Sequence, residues 1–202
     1  MHNGPYPTDM SAINECHKLK YLIRLNKTNS VIELNNFPDL EKLDMTYIKN
    51  KILNIEKKIS LRTLGLSNFP FEDLSLISNL TNLKTLGIDS SKNINLKGIE
   101  KLTNLEKIDM NYLRNLQSLE GITEAHTKLK YVFTYSTPNL TDISALRYIK
   151  HPDLISVSVS KKEPVDFSVA DQYAKEHVQK FPNVLFVDFR PEPFNQIIKS
   201  KK

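Results

Sequence analysis

A chain of 202 residues with one cysteine, Cys16, cannot form an internal disulfide. That absence suits a reducing compartment, so the expected location is cytoplasmic. Secretion stays open if a signal peptide precedes the sequence. The first 25 residues lack a basic stretch followed by a continuous apolar run. Long hydrophobic runs are missing as well. The longest, Val184-Leu185-Phe186-Val187, is far below the roughly 20 residues of a membrane-spanning helix. The five glycines form no phosphate-cradling loop, and no Gly-x-Ser-x-Gly elbow occurs. His2, His17, His126, His151 and His177 are scattered, with no paired-cysteine or His/Cys metal spacing among them. Cys16 and His17 are adjacent, and neighbouring side chains in a chain rarely face each other. No catalytic, cofactor or metal residue is therefore assigned, and the chain is expected not to be an enzyme.

What is present is an ordinary globular composition, 40% hydrophobic and 25% charged, with a net charge of +5. The positive charge is dispersed, apart from Lys57-Lys58, Lys161-Lys162 and the tail residues Lys199, Lys201 and Lys202. Such a tail reads as solvated and solubilising.

The dominant signal is a repeat. Leu74, Ile77, Leu80, Leu83, Leu86 and Ile88, each advanced by 22, give Leu96, Ile99, Leu102, Leu105, Ile108 and Met110. Moving back by 22 gives Ile52, Ile55, Lys58, Leu61, Leu64 and Leu66, with Ile59 beside the one exception. A further step of 21 gives Leu34, Phe37, Leu40, Leu43 and Met45. Each unit ends in Leu-x-x-Leu-x-Leu. Looser copies stand at Leu19-Leu22-Arg24, Leu129-Val132-Thr134, Leu154-Val157-Val159 and Val184-Val187-Phe189. The starts at 19, 40, 61, 83, 105, 129, 154 and 184 define about eight coils, with steps of 21, 21, 22, 22, 24, 25 and 30.

The alternation puts two side chains on one face of a short strand, and three-residue spacing suits a 3-10-like return. One coil cannot enclose its own apolar set. Each buried side chain contributes roughly 1.5–3 kcal/mol, less in sum than ordering a whole coil costs. Stacking on both neighbours completes the burial, with parallel strands about 4.8 Å apart.

From about Leu19 to Phe189 the chain resembles the leucine-rich-repeat family, and most closely the short-repeat, internalin-like class. Leu80-Thr-Asn-Leu-Lys-Thr-Leu-Gly-Ile88 and Leu102-Thr-Asn-Leu-Glu-Lys-Ile-Asp-Met110 carry the resemblance. It implies an α/β right-handed solenoid, or horseshoe, with one parallel sheet on its concave face. The family places an asparagine three residues after the last strand leucine. Here Ile48, Phe69, Ser91, Leu113 and Thr137 hold that place. The buried asparagine ladder is thus expected to be absent, with irregular turns replacing it.

Three segments follow: an N-terminal segment and cap (1–18), the repeat domain (19–190) and a polar, basic tail (191–202). In the cap, the spacing Ile13, Cys16, Leu19 suggests a helical turn with Cys16 buried. At the other end, Ser168-Val-Ala-Asp171 resembles a capping box, and Pro182 closes the segment. A helix over 168–181 is expected, feeding a last strand at 184–189.

Solvent-facing strand positions are where a partner can touch a solenoid. Between the last two apolar positions they read Ile23, Asp44, Gly65, Gly87, Asp109, Phe133, Ser158 and Asp188. After the last apolar position they read Leu25, Thr46, Ser67, Asp89, Asn111, Tyr135, Ser160 and Arg190. Before the middle one they read Tyr21, Lys42, Thr63, Thr85, Lys107, Tyr131, Ser156 and Phe186. Tyr131, Phe133 and Tyr135 gather on one strand, with Asp89, Asp109 and Asn111 on the two before it. Aromatics beside carboxylates on an open sheet resemble an interaction hot spot with a polar rim. The plainer alternative is that strand positions favour tyrosine and phenylalanine anyway. The leading reading is a protein-binding module: a scaffold or adaptor, in the narrower form a bacterial effector or a toxin-neutralising partner. Nucleic-acid binding is the alternative that pI 9.1 suggests, weakened by the acidic residues on the same face. A structural piece of a larger surface protein is the third.

Overall fold

The structure, a computed structural model, describes residues 9–25, 28–160, 164–168, 172, 185–187 and 197–198. Its frame is a stack of strands: β1 (Tyr21–Leu25), β3 (Lys42–Thr46), β5 (Thr63–Ser67), β6 (Thr85–Asp89), β7 (Lys107–Asn111), β8 (Tyr131–Tyr135), β9 (Leu154–Ser156) and β10 (Leu185–Val187). Each pairs in parallel with the next, in chain order. A short strand β11 (Ile197–Ile198) adds to β10 in antiparallel fashion. On the return side, β2 (Ile32–Glu33) and β4 (Ile52–Leu53) form a separate two-stranded parallel sheet. Other return segments are 3-10 turns, such as Ile55–Lys57 and Ser75–Ile77.

The repeat register is visible in the pairing. Leu43, Leu64, Leu86, Ile108 and Val132 stand beside one another across β3 to β8. All six positions of the unit from Leu74 to Ile88 are buried, as are all six from Leu96 to Met110. Among the described residues the core is one continuous column-stacked cluster running from Leu22 to Val159.

Turns after β5, β6, β7 and β8 are regular, against expectation. Two residues past the last inward position, Asn68, Ser90, Tyr112 and Ser136 all adopt left-handed backbone, with φ of 57°, 49°, 56° and 57°. This conformation swings the chain out of the sheet while its N–H stays aimed at the next coil. Asn68 donates to the Asp89 carbonyl at 3.0 Å, Ser90 to Asn111 at 2.9 Å and Tyr112 to Tyr135 at 2.8 Å. The next inward places are filled by buried Phe69, Ser91, Leu113 and Thr137, without a ladder of asparagines. Asparagines bridge coils elsewhere, at the strand entry: Asn82 donates to the Ile59 carbonyl and Asn104 to that of Thr81, both at 2.9 Å.

Four expectations need correction. Cys16 is exposed. The 3-10 turn Ser11–Glu15 does form, but Cys16 follows its end, and Ile13 and Leu19 alone of the three pack on the core. In the first coil a bulge between Leu22 and Leu25 places Leu25, not Arg24, beside Met45. In β9, Ile155 stands beside Val132 and Ser156 beside Phe133. The unit there is Pro152-Ile155-Val157, all buried, two residues earlier than Leu154-Val157-Val159. A two-residue slip keeps the same face inward, so alternation alone does not separate the two registers. In β10 the slip is one residue, with Phe186 beside Ile155.

The exception at Lys58 is also resolved. Lys58 itself enters the core column between Phe37 and Leu80, only 6% exposed, while Ile59 is 58% exposed. Its Nζ donates to the Phe37 carbonyl one coil earlier, at 2.5 Å. Ser168 and Gln172 are helical. The rest of the expected helix over 168–181 lies outside the described residues, as does most of the tail over 191–202.

Candidate binding face on the sheet

Strand alternation decides what reaches solvent. In β5, β6 and β7 the inward residues are buried and the intervening ones half-buried. In β8 the outer residues at both ends, Tyr131 and Tyr135, are exposed, and Phe133 is half-buried. All six residues singled out from the sequence lie on this face, on three adjacent strands. Asp89, Asn111 and Tyr135 form one row across β6, β7 and β8. Gly87, Asp109 and Phe133 form the next, and Thr85, Lys107 and Tyr131 the third.

The polar members are tied to one another. Asp109 accepts a hydrogen bond from Asn111 Nδ2 at 2.8 Å and faces Lys107 Nζ at 3.3 Å. Asp89 accepts from the Ser90 hydroxyl at 2.5 Å. Hydrogen bonding to the Asp153 carboxylate, and then its charge, raises the Tyr131 pKa above the ordinary phenol value.

One residue escaped the strand-column reading. Tyr112, on the turn after β7, sets its ring edge-to-face against Tyr135, with centroids 5.4 Å apart and planes at 89°. Both rings are about half exposed, at 49% and 53%. The turn column reads Tyr47, Asn68, Ser90, Tyr112 and Ser136; of its two aromatics, Tyr47 packs edge-to-face on Phe69 and Phe71, whereas Tyr112 meets the exposed Tyr135.

Beside the aromatics lies a shallow groove of about 260 Å³, floored by Gly65 and Gly87 and walled by Lys42, Asp44, Asp89 and Asp109. The Asp44 carboxylate leans over Gly65, where an added Cβ would meet Oδ1 at 2.8 Å. Gly87 is open: a Cβ there would find nothing nearer than the Gly65 Cα at 3.8 Å.

Elsewhere the ionisable groups serve the stack. Along the strand-entry edge, Lys20 and Arg62 flank Glu41 at 3.7 and 4.0 Å, Lys84 meets Glu106 at 2.9 Å, and Lys130 meets Asp153 at 3.9 Å. His126 is buried, with Nδ1 accepting from the Thr123 N–H at 3.0 Å and Nε2 3.0 Å from the Ile99 carbonyl. Both ring nitrogens are thereby used inside the fold. Among the described residues no group of three His, Cys, Asp or Glu side chains could hold a metal ion. No helix among them is long and apolar enough to cross a membrane.

No protein-family model matches this chain, and no curated protein matches it. Solved structures do. An internalin (inlF) from Listeria monocytogenes is similar over 83% of this chain, with a TM-score of 0.54 at 18% identity. The match covers 62% of that internalin. A leucine-rich-repeat protein of Leptospira interrogans matches over 91% of this chain and 52% of its own, at 16% identity and a TM-score of 0.44. The internalin match, with the parallel sheet and its in-register columns, establishes a leucine-rich-repeat solenoid as the fold.

Proposed function

We propose that this leucine-rich-repeat solenoid is a non-enzymatic protein-binding module, and that it holds its partner on the outer face of β6 to β8. One observation carries the reading: β8 turns Tyr131, Phe133 and Tyr135 to solvent while its own inward position Thr134 is polar. A strand that serves the fold alone places these residues the other way round. Aromatic rings offer large contact area at low entropic cost, and the adjoining Asp89, Asp109 and Asn111 supply a polar rim. Nucleic acid fits this face poorly, because it bears Asp44, Asp89 and Asp109 and because the edge cations alternate with carboxylates. A single exposed cysteine suits a reducing compartment.

The test is affinity capture from lysate of the source cell with wild type and with the Phe133→Ala/Tyr135→Ala variant, followed by calorimetry with the purified captured protein. Each substitution is expected to weaken binding by about 1 kcal/mol or more, with circular dichroism unchanged. Equal affinity for both variants would remove the partner from this face.

A further inference from the structure

We infer that the partner presents a cationic segment to this face, an arginine- or lysine-bearing stretch held between the Tyr112–Tyr135 pair and the Asp89 carboxylate. The inference rests on the binding reading above and specifies the chemistry of what binds.

The first observation is the backbone of Tyr112. Its φ of 56° is a conformation that a bulky side chain adopts only at an energetic cost. The fold asks for left-handed backbone there, and it is met in neighbouring coils by Asn68, Ser90 and Ser136. Nothing in the turn asks for an aromatic. The Tyr112 ring enters no core, being 49% exposed and stacked only on another exposed ring. A costly residue whose ring contact is with another exposed ring, and not with the core, is placed for contact with something else.

The second observation is ring geometry. An edge-to-face pair uses one face of one ring, so aromatic faces stay open to solvent at the sheet margin. Exposed tyrosine faces attract guanidinium and ammonium groups. Arginine suits them best, because its plane stacks on a ring while its donors reach a carboxylate.

The third is charge. The chain carries +5 overall, yet this face carries Asp44, Asp89 and Asp109 against Lys42 and Lys107. Lys107 is already engaged by Asp109. Asp89 makes no ion pair among the described residues and shares its row with Asn111 and Tyr135. Two strand spacings separate it from Tyr135, about 10 Å, a distance that one extended basic side chain and its backbone cover. Arg114 lines a hollow with Tyr112, Ser90, Ser91 and Asn115, and makes no ion pair with Asp89. An anionic partner would meet uncompensated carboxylates here, and a purely apolar one would bury them.

The experiment is selection of random linear peptides displayed on phage against the full chain, then affinity measurement of the enriched peptides. The expected pool carries arginine or lysine and binds more weakly as salt rises. Affinity should fall about tenfold with Tyr112→Asn and with Asp89→Asn, and persist with Tyr112→Phe, which keeps the ring. Tyr112→Asn introduces the residue that already serves at 68, so the turn is retained. An enriched pool without basic residues, lost on Phe133→Ala, would overturn the cationic partner and leave the binding face standing. A pool indifferent to Phe133→Ala and Tyr112→Asn alike, or no enrichment at all, would overturn both readings.

Discussion

The coils of β5 to β7 and the coil of β8 solve the same packing problem with opposite residue choices. In the first group the inward strand places are leucine, isoleucine and methionine and the outward ones small, polar or charged, with Lys58 and Ser91 among the buried polar residues outside the strands. In the β8 coil the matching inward places include His126, Thr134 and Thr137, all buried, while the outward ones are aromatic. Apolar surface has moved from inside to outside within a single repeat. Agreement between local pattern and global fold is the ordinary state of a natural sequence, and a departure marks a place where something other than the fold sets the residues. The departure is stabilised locally. Thr134 Oγ1 accepts from the Ser158 N–H at 2.7 Å, and Thr137 Oγ1 donates to the Ser158 carbonyl. These side chains stand in for sheet bonds where β9 has ended at Ser156.

The sharpest way to test the contrast is to cut one core residue in each region. Leu86 is fully buried in β6, and Leu86→Ala should lower stability by about 2–5 kcal/mol in a chemical-denaturation titration. A loss below about half a kcal/mol would mean the central coils are not close-packed. Thr134→Val keeps the shape in β8 but removes the acceptor of the Ser158 N–H. It should cost about 1–3 kcal/mol despite adding apolar character. If Thr134→Val stabilises instead, the polar core of β8 is only tolerated, and the contrast with β6 loses its meaning.

Much of this was legible beforehand because inward columns repeat at 21 or 22 residues, and such a register is insensitive to any one residue. The six face residues followed from it by alternation. What stayed hidden had physical reasons. The β9 register differs by two residues, the period of a strand, so Leu154 and Pro152 fit the first inward place equally well on pattern. Tyr112 lies on a turn, where alternation says nothing and only the backbone angle shows what the position demands. Cys16 matched a three-residue spacing that had already ended. Lys58 looked like a lapse in the pattern, because composition does not show an ammonium reaching the Phe37 carbonyl.

Lys58 is also the control for the contrast, since it puts a polar group into a core column of the regular region. Burial holds its pKa below the ordinary lysine value, and the charges of Asp39 and Glu33 only partly restore it. The unfolded chain then binds a proton more readily than the folded one between the lowered pKa and 10.5, so stability rises with pH across that window. Below the window the full cost of the buried charge is present. The Phe37 carbonyl also accepts from the Leu40 N–H, so it keeps a partner without the lysine. Lys58→Met should therefore stabilise by about 1 kcal/mol at neutral pH. Its advantage over wild type should shrink as pH approaches 10.5 in parallel thermal melts. A destabilised Lys58→Met would make Lys58 a required strut, and polar core residues would no longer set β8 apart.

The smallest effect concerns glycine, where the two regions meet. Gly98 and Gly121 are demanded by the fold: φ is 103° and 117°, and an added Cβ would strike the preceding coil's backbone at 2.4 and 2.2 Å. Gly87 is under neither constraint, since its φ is not positive and its Cβ would make only ordinary contacts. Glycine inside a strand costs roughly 0.5–1 kcal/mol relative to alanine. Gly87→Ala should therefore raise stability by about half a kcal/mol, read as a small increase in Tm. If the bare floor between Asp44 and Asp109 exists for a partner's close approach, the same substitution should weaken binding while the fold gains. A gain in stability with unchanged affinity would confine the contact to the aromatic side of the face. A loss of stability would return Gly87 to the residues that serve the solenoid alone.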